Sequence, residues 1–291
     1  MILLEGRPVR EQIAKKLITQ INRFKIKPVL AIIQVGDDSR STAYIKQKKI
    51  FGEKIGAEVR VINFPVLVKQ AEVVAKIINL NSDASVNGII VQIPLPENLN
   101  KQEIINAIDP AKDVDGLTIK NQGALLVGVP KIIPATARGI VELLEFYGID
   151  ISGKTAVVMG RSILVGSPVA KLLALKGAKV SVVHSQTENP KILTKEADIL
   201  VVAVGQAGLV GPSYIKEGVV VVDVGINSVP GEQLVEEAAN QKIAGDTDFS
   251  SLKGIASAIS PVPGGVGPMT VSALFENLLD AYRVQSKNLS V

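Results

Sequence analysis

The sequence predicts an α/β fold built as two domains. Strand-sized apolar runs alternate with helical patterns along most of the chain, the rhythm of parallel sheets flanked by helices. That rhythm breaks around Pro130 and Pro134 and restarts over residues 148–154. The 291 residues are enough for two buried cores. The expected domains are residues 1–136 and 137–268, with a cleft between them and a last helix over 269–291 that packs back on the first.

In the first domain, 29–35 (VLAIIQV) and 88–93 (GIIVQI) are apolar runs of buried-strand length, and 58–64 (EVRVINF) also reads as a strand. Helical patterns occupy 41–55, 70–80 and 101–108, and a linking helix is expected over 139–147. In the second domain, 155–159, 179–183, 198–204 and 219–224 are four buried-strand candidates, with helical segments between the first three. Ile243 and Ala244 mark a fifth.

Composition removes several classes of function. No apolar run approaches the roughly 20 residues of a membrane span, so no membrane association is expected. The start is too short and too soon charged for a secretory signal, which makes the cytoplasm the expected location. The chain has no cysteine, which excludes disulfides and thiolate chemistry. A single histidine, His184, excludes multi-histidine metal sites, and no carboxylate cluster calls for a metal. A net charge of +4 with 3% aromatic residues supplies neither the basic stripe nor the stacking faces of a nucleic-acid binder. An anionic small molecule suits the mild positive excess better.

Six stretches carry chemistry. The loop 263–270 (PGGVGPMT) cannot sit inside a regular helix or strand. It offers a rigid surface, poor in side chains, on which a flat ligand can lie, or else it is a tight interdomain turn. The strand 155–159 runs into Gly160, Arg161, Ser162 and then Gly166, before a helix expected from Val169. A glycine turn between a strand and a helix N-terminus holds phosphate in dinucleotide folds, so the second domain reads as Rossmann-like. The spacing is looser than G-x-G-x-x-G, and Gly160 alone could simply end a strand. Where such folds usually place an acidic residue against the ribose, this chain has His184, Ser185 and Gln186, which with Arg161 suit a 2′-phosphate: NADP is favoured, with NAD left open.

In the first domain, Ser41, Tyr44 and Lys48 share one face of a helix. A tyrosine beside a desolvated lysine can handle protons; a lysine between Lys46 and Lys49 can equally be a solvated surface charge. Gln92 is polar inside an apolar run that ends at Pro94, Leu95 and Pro96, and needs a partner if buried. Asp113 and Asp115 alternate before Gly116, as a metal pair or an Asx turn would.

These stretches, in this order, resemble the bifunctional methylenetetrahydrofolate dehydrogenase/methenyltetrahydrofolate cyclohydrolase family: S-x-x-Y-x-x-x-K at 41–48, V-Q-x-P-L-P at 91–96, K-D-V-D-G at 112–116, G-R-S-x-x-V-G-x-P at 160–168, H-S-x-T at 184–187 and PGGVGPMT at 263–270. The resemblance implies a catalytic Lys48 held by Gln92, Tyr44 stacked on or orienting a folate, and Asp115 on the pterin ring. It adds Leu95, Pro263 and Gly264 to the folate contacts. It puts NADP on Gly160, Arg161, Ser162 and Ser185, with Ile226 against the nicotinamide, and implies a homodimer. Two departures stand out: Pro134-Ala135-Thr136-Ala137 where the family often has P-C-T-P, and Thr247 where it often has valine. The rival readings are a shikimate dehydrogenase-like oxidoreductase of similar architecture and a non-catalytic nucleotide-binding protein.

Overall fold

A computed structural model of the chain describes residues 1–230 and 241–288. It divides into two compact units, Met1–Arg10 with Thr136–Thr270, and Glu11–Ala135 with Val271–Val291. The chain opens with a two-residue strand, β1 (Ile2–Leu3), and helix α1 (Gly6–Ile21), inside which the first unit boundary falls.

The unit that follows contains β2 (Val29–Val35), α2 (Ser39–Ile55), β3 (Glu58–Phe64), α3 (Gln70–Ser82), β4 (Gly88–Val91), α4 (Lys101–Asn106) and α5 (Ile119–Leu126). Its three strands are all parallel in the order β3-β2-β4. Every residue of β2 is buried, as a central strand covered on both faces requires, whereas β3 at the edge is partly exposed. Helix α2 begins where the Asp38 carboxylate accepts from Ser41 N–H and ends at Gly56, in the left-handed conformation. Ser41, Ile45, Lys48, Phe51 and Ile55 form its buried stripe. Gly52 lets that stripe close on its neighbours, since a Cβ there would lie 2.5 Å from Val59.

The other unit begins within α6 (Ala135–Phe146) and runs through β5 (Thr155–Met159), α7 (Gly166–Leu175), β6 (Lys179–Val183), α8 (Pro190–Glu196), β7 (Ile199–Val202), β8 (Val220–Asp223), β9 (Asn227–Pro230), β10 (Gln241–Ala244), α9 (Phe249–Leu252) and β11 (Ala258–Ile259). Its sheet is six-stranded and parallel, in the order β1-β11-β8-β7-β5-β6. From β5 the chain crosses to β6 on one side and then to β7 and β8 on the other. The order therefore reverses at β5, and open parallel sheets bind ligands outside the strand C-termini at such a switch point.

The last helix, α10 (Val266–Asn288), starts in this unit and ends in the other. Beyond Thr270 it packs Phe275 against Phe51, with ring centroids 5.4 Å apart. Asn277, fully buried, donates to Val114 O and Ile133 O, each at 2.8 Å.

The structure differs from the sequence reading in several places. The last helix begins at Val266, inside the 263–270 stretch that the sequence reading kept out of any helix, because Pro268 falls in its first turn, and the linking helix begins at Ala135 rather than Gly139. Residues 1–10 group with 136–270 rather than with 11–135, because Ile2 and Leu3 pair with Ala258 and Ile259. Ile243 and Ala244 are not a fifth strand of the main sheet; they lie in β10, which pairs antiparallel with β9 in a separate ribbon. The helix after β5 starts at Gly166, not Val169, because Pro168 falls in its first turn, where a missing N–H costs nothing. Helices α1 and α5 and strand β11 carry patterns too weak for the sequence reading to assign. Among the described residues no helix is long and apolar enough to cross a membrane.

Replacing Asn277 by alanine removes its donations to the two buried carbonyls. Urea unfolding is expected to report a loss of about 2 kcal/mol or more; an unchanged midpoint would show that these carbonyls find other partners.

Candidate active site

Lys48 occupies the buried stripe of α2, while its neighbours Lys46 and Lys49 are exposed. Only 8% of Lys48 is accessible, which removes the reading of a solvated surface charge. Its Nζ donates to Gln92 Oε1 at 2.8 Å. Gln92 follows β4, and its Nε2 donates to Ile93 O at 2.8 Å. That second bond fixes the amide so that its carbonyl end faces the lysine. Burial pushes the Lys48 amine below the ordinary lysine range, and the negative charge of Asp115 pulls it back up. Burial in turn raises the Asp115 carboxyl, opposed by Lys48 and reinforced by Asp113. Tyr44 stands one turn before Lys48 on α2 and is half-buried. Leu95, also half-buried, packs against the core of the same unit just beyond Gln92.

The KDVDG turn is held by its first aspartate. Asp113 is 1% exposed and accepts from the N–H groups of Gly116, Leu117 and Thr118 at 3.0, 3.2 and 2.8 Å, and from Asn121 Nδ2 at 2.9 Å. Both its oxygens are engaged, so of the two sequence readings the structure has the turn at the glycine. Gly116 at φ +74° sits against Pro134, 2.7 Å from where a Cβ would be. Asp113 thereby fixes the segment that carries Asp115. The sequence reading gave it no catalytic role and left the turn as one of two alternatives; its signal was an aspartate three residues before a glycine that must take positive φ.

The second group of residues gathers at the switch point. A Cβ on Gly160 would overlap Ala203 O, and one on Gly166 would overlap Gly160 O. Both glycines are therefore required for the turn to close over the strand end. Ser162 Oγ accepts from the N–H groups of Val165 at 3.2 Å and Gly166 at 3.4 Å, capping the turn into α7. Arg161 donates to Gln186 Oε1 at 3.0 Å. His184 Nδ1 accepts from Gln186 N–H at 3.2 Å, which puts the neutral ring's proton on Nε2, the nitrogen 3.5 Å from Arg161. Arg161 therefore pairs with Gln186, and His184 serves the turn. Ser185 is exposed beside them. Ile226, just past β8, is 50% exposed and so open to a ligand at the strand ends. A glycine cradle, an arginine fork and an open apolar side chain at strand C-termini suit a dinucleotide.

The loop before α10 is rigid. Gly265 N donates to Pro261 O and Gly6 N donates to Gly264 O, each at 2.8 Å, and Gly264 takes φ +114°. Pro263 is exposed and Gly264 half-buried. Pro263 and Gly264 belong to the unit that carries Gly160, Arg161, Ser162, Ser185 and Ile226, while Tyr44, Lys48, Gln92, Leu95 and Asp115 belong to the other.

Fold and sites together define an α/β enzyme with a dinucleotide-binding unit and a second unit built around a buried lysine. Comparison with known proteins makes this specific. Residues 4–115 match the tetrahydrofolate dehydrogenase/cyclohydrolase catalytic domain and residues 134–286 its NAD(P)-binding domain. The chain is 41% identical over 286 residues to bifunctional protein FolD 2 of Lactobacillus johnsonii, covering 97% of this chain and 98% of that one. It superposes with a TM-score of 0.91, at 40% identity over 98% of this chain and 99% of that one, on the bifunctional FolD enzyme of Campylobacter jejuni. A Trypanosoma brucei FolD, solved with NADP cofactor and an inhibitor, gives a TM-score of 0.92 at 35% identity over 98% of each chain. The chain belongs to the tetrahydrofolate dehydrogenase/cyclohydrolase family. It is a bifunctional enzyme that oxidises 5,10-methylenetetrahydrofolate with NADP and hydrolyses the methenyl product to 10-formyltetrahydrofolate. Shikimate dehydrogenase from Aquifex aeolicus, at 14% identity and a TM-score of 0.52, shares the fold alone.

Because the Asp115 charge raises the Lys48 amine, Asp115→Asn is expected to move the Lys48 midpoint further down in pH, read by competitive acetylation of its Nζ. An unchanged or raised midpoint would show that the two groups are not electrostatically coupled.

Proposed function

We propose that Lys48 is the proton-handling group of the cyclohydrolase step, oriented by Gln92, with Asp115 and Tyr44 holding the folate. The observation that carries this is the buried Lys48–Gln92 hydrogen bond, which supports a lysine placed for chemistry rather than for solvation. The methenyl group is an amidinium carbon between two folate nitrogens. Water attacks that carbon and loses a proton. The bond to one nitrogen then breaks as that nitrogen gains a proton and the new hydroxyl releases its own to solvent, leaving the formyl group on the other nitrogen. A lysine whose amine is held down by burial can take the first proton and return the second. The cationic substrate beside it favours the neutral amine further.

NADP, when bound, supplies the hydride acceptor of the dehydrogenase step. The folate nitrogens stabilise the cation left behind, so the protein's share is placement. In this reading Gly160 and Ser162 shape the pyrophosphate turn, Arg161 and Ser185 meet the 2′-phosphate, and Ile226 lies against the nicotinamide. Pro263, Gly264 and Leu95 border the folate. Gln186 is neutral and already engages the arginine, so the 2′-phosphate relies on Arg161 for charge. We also propose a homodimer working in the cytoplasm, as the family resemblance implies and a chain free of cysteine allows.

Lys48→Met is expected to lower hydration of methenyltetrahydrofolate by about a hundredfold or more with NADP affinity little changed, read by loss of the methenyl absorbance and by cofactor titration. Wild-type hydration in that variant would remove Lys48 from the reaction. Arg161→Ala is expected to weaken NADP by about tenfold or more and NAD much less; equal losses would mean that Arg161 does not read the 2′-phosphate.

A further inference from the structure

Two buried carboxylates near the C-terminal ends of the strands of the six-stranded sheet have no part in the chemistry described so far. Asp223 ends β8 and is 1% exposed; Asp246 follows β10 and is fully buried. Asp246 Oδ2 accepts from Val204 N at 2.7 Å and Gly205 N at 2.9 Å, and Oδ1 from Gln206 N at 2.9 Å and Asn227 Nδ2 at 2.8 Å. Three successive amides of the loop after β7 thus converge on one carboxylate, which also holds the residue next to Ile226. Asp223 holds Asp246 in turn. Its Oδ1 accepts from Asp246 N at 3.0 Å and Gly225 N at 2.9 Å, and its Oδ2 from Thr247 N at 2.8 Å and Thr247 Oγ1 at 2.6 Å. A Cβ on Gly225 would overlap the Asp246 carboxylate, and one on Gly245 would overlap that of Asp223. The two glycines are what allow the carboxylates in.

Burying two carboxylates is costly, and it is offset only when their lone pairs are met. Here each oxygen of both groups accepts two hydrogen bonds, so neither carboxylate has a free oxygen to act as a base. What the arrangement achieves is geometric. It ties the loop after β7 to the loop after β8, two loops at the strand C-termini where a dinucleotide lies. We propose that Asp246 and Asp223 are positioning residues of the dehydrogenase, fixing the surface that receives the nicotinamide half of the cofactor. This rests on the placement of the nicotinamide beside Ile226 given above.

The test is Asp246→Asn in the full-length enzyme. Its amide group would point N–H bonds at N–H donors on one side and so loosen both loops. Dehydrogenase kcat is expected to fall about tenfold or more. Cyclohydrolase turnover and the affinity for adenosine 2′,5′-bisphosphate, which lacks the nicotinamide, are expected to stay within about twofold. If both activities fall together in folded protein, or the dehydrogenase is unaffected, the proposal is overturned. Should Asp246→Asn not fold, Asn227→Ala removes the side-chain donor to Asp246 from the residue after Ile226, and the same split of activities, smaller in size, is expected; its absence counts against the proposal equally. Ile226→Ala separates the two readings. If it leaves the dehydrogenase unchanged while Asp246→Asn lowers it, the nicotinamide contact of Ile226 fails and the pair still acts through the 204–206 loop. If Ile226→Ala lowers the dehydrogenase and Asp246→Asn does not, the pair fails alone.

Discussion

The hydrogen bond between Lys48 and Gln92 is the constraint on which the folate half of this enzyme depends. An ammonium on the buried, mostly apolar stripe of a helix is poorly solvated, so its proton is held less tightly than in water. Gln92 satisfies the amine without adding a full charge, and Asp115 adds charge at a strength set by its own burial. Burial and the Asp115 charge thus pull the amine in opposite directions, burial the more strongly. In the proposed reaction a direct, well-formed ion pair would favour the cation and weaken the amine as a base.

Around that contact, the scaffold works to hold backbone rather than to add catalytic groups. Asp113 ties down the turn that presents Asp115, and Asn277 from the last helix caps the carbonyls of Val114 and Ile133. On the nucleotide side the same device recurs, with Asp246 gathering the amides of 204–206. In each case a buried polar side chain spends its hydrogen bonds on a loop, which is how a loop at a strand end gains the rigidity of the sheet behind it. Close-packed glycines complete the pattern: Gly160 and Gly166 let two backbone segments touch where any side chain would hold them apart.

Much of this was legible in the residues. The strands 29–35, 58–64, 155–159 and 179–183 match the expected segments to the residue; 29–35 and 155–159 are buried central strands written as near-continuous apolar stretches, whereas 58–64 and 179–183 lie at sheet edges and are partly exposed. Burial of Lys48 was also readable in principle: 41, 45, 48, 52 and 55 fall on one helical face, and the four besides the lysine are small or apolar. What stayed hidden depends on partners distant in sequence. Strands β1 and β11 are two residues each and exist only because they pair with one another and with β8. Asp113, Asp223 and Asp246 look alike in sequence as acidic residues near glycines; only the folded backbone shows which amides each collects.

The central claim is that Lys48 acts by giving up and regaining a proton, not by lending a fixed positive charge. The most direct measurement is hydration of methenyltetrahydrofolate by Lys48→Arg, followed at the methenyl absorbance, in protein shown to bind the folate. A guanidinium keeps the charge and the donor to Gln92 but does not deprotonate. The account predicts that hydration is lost while the folate still binds; turnover close to wild type would contradict it.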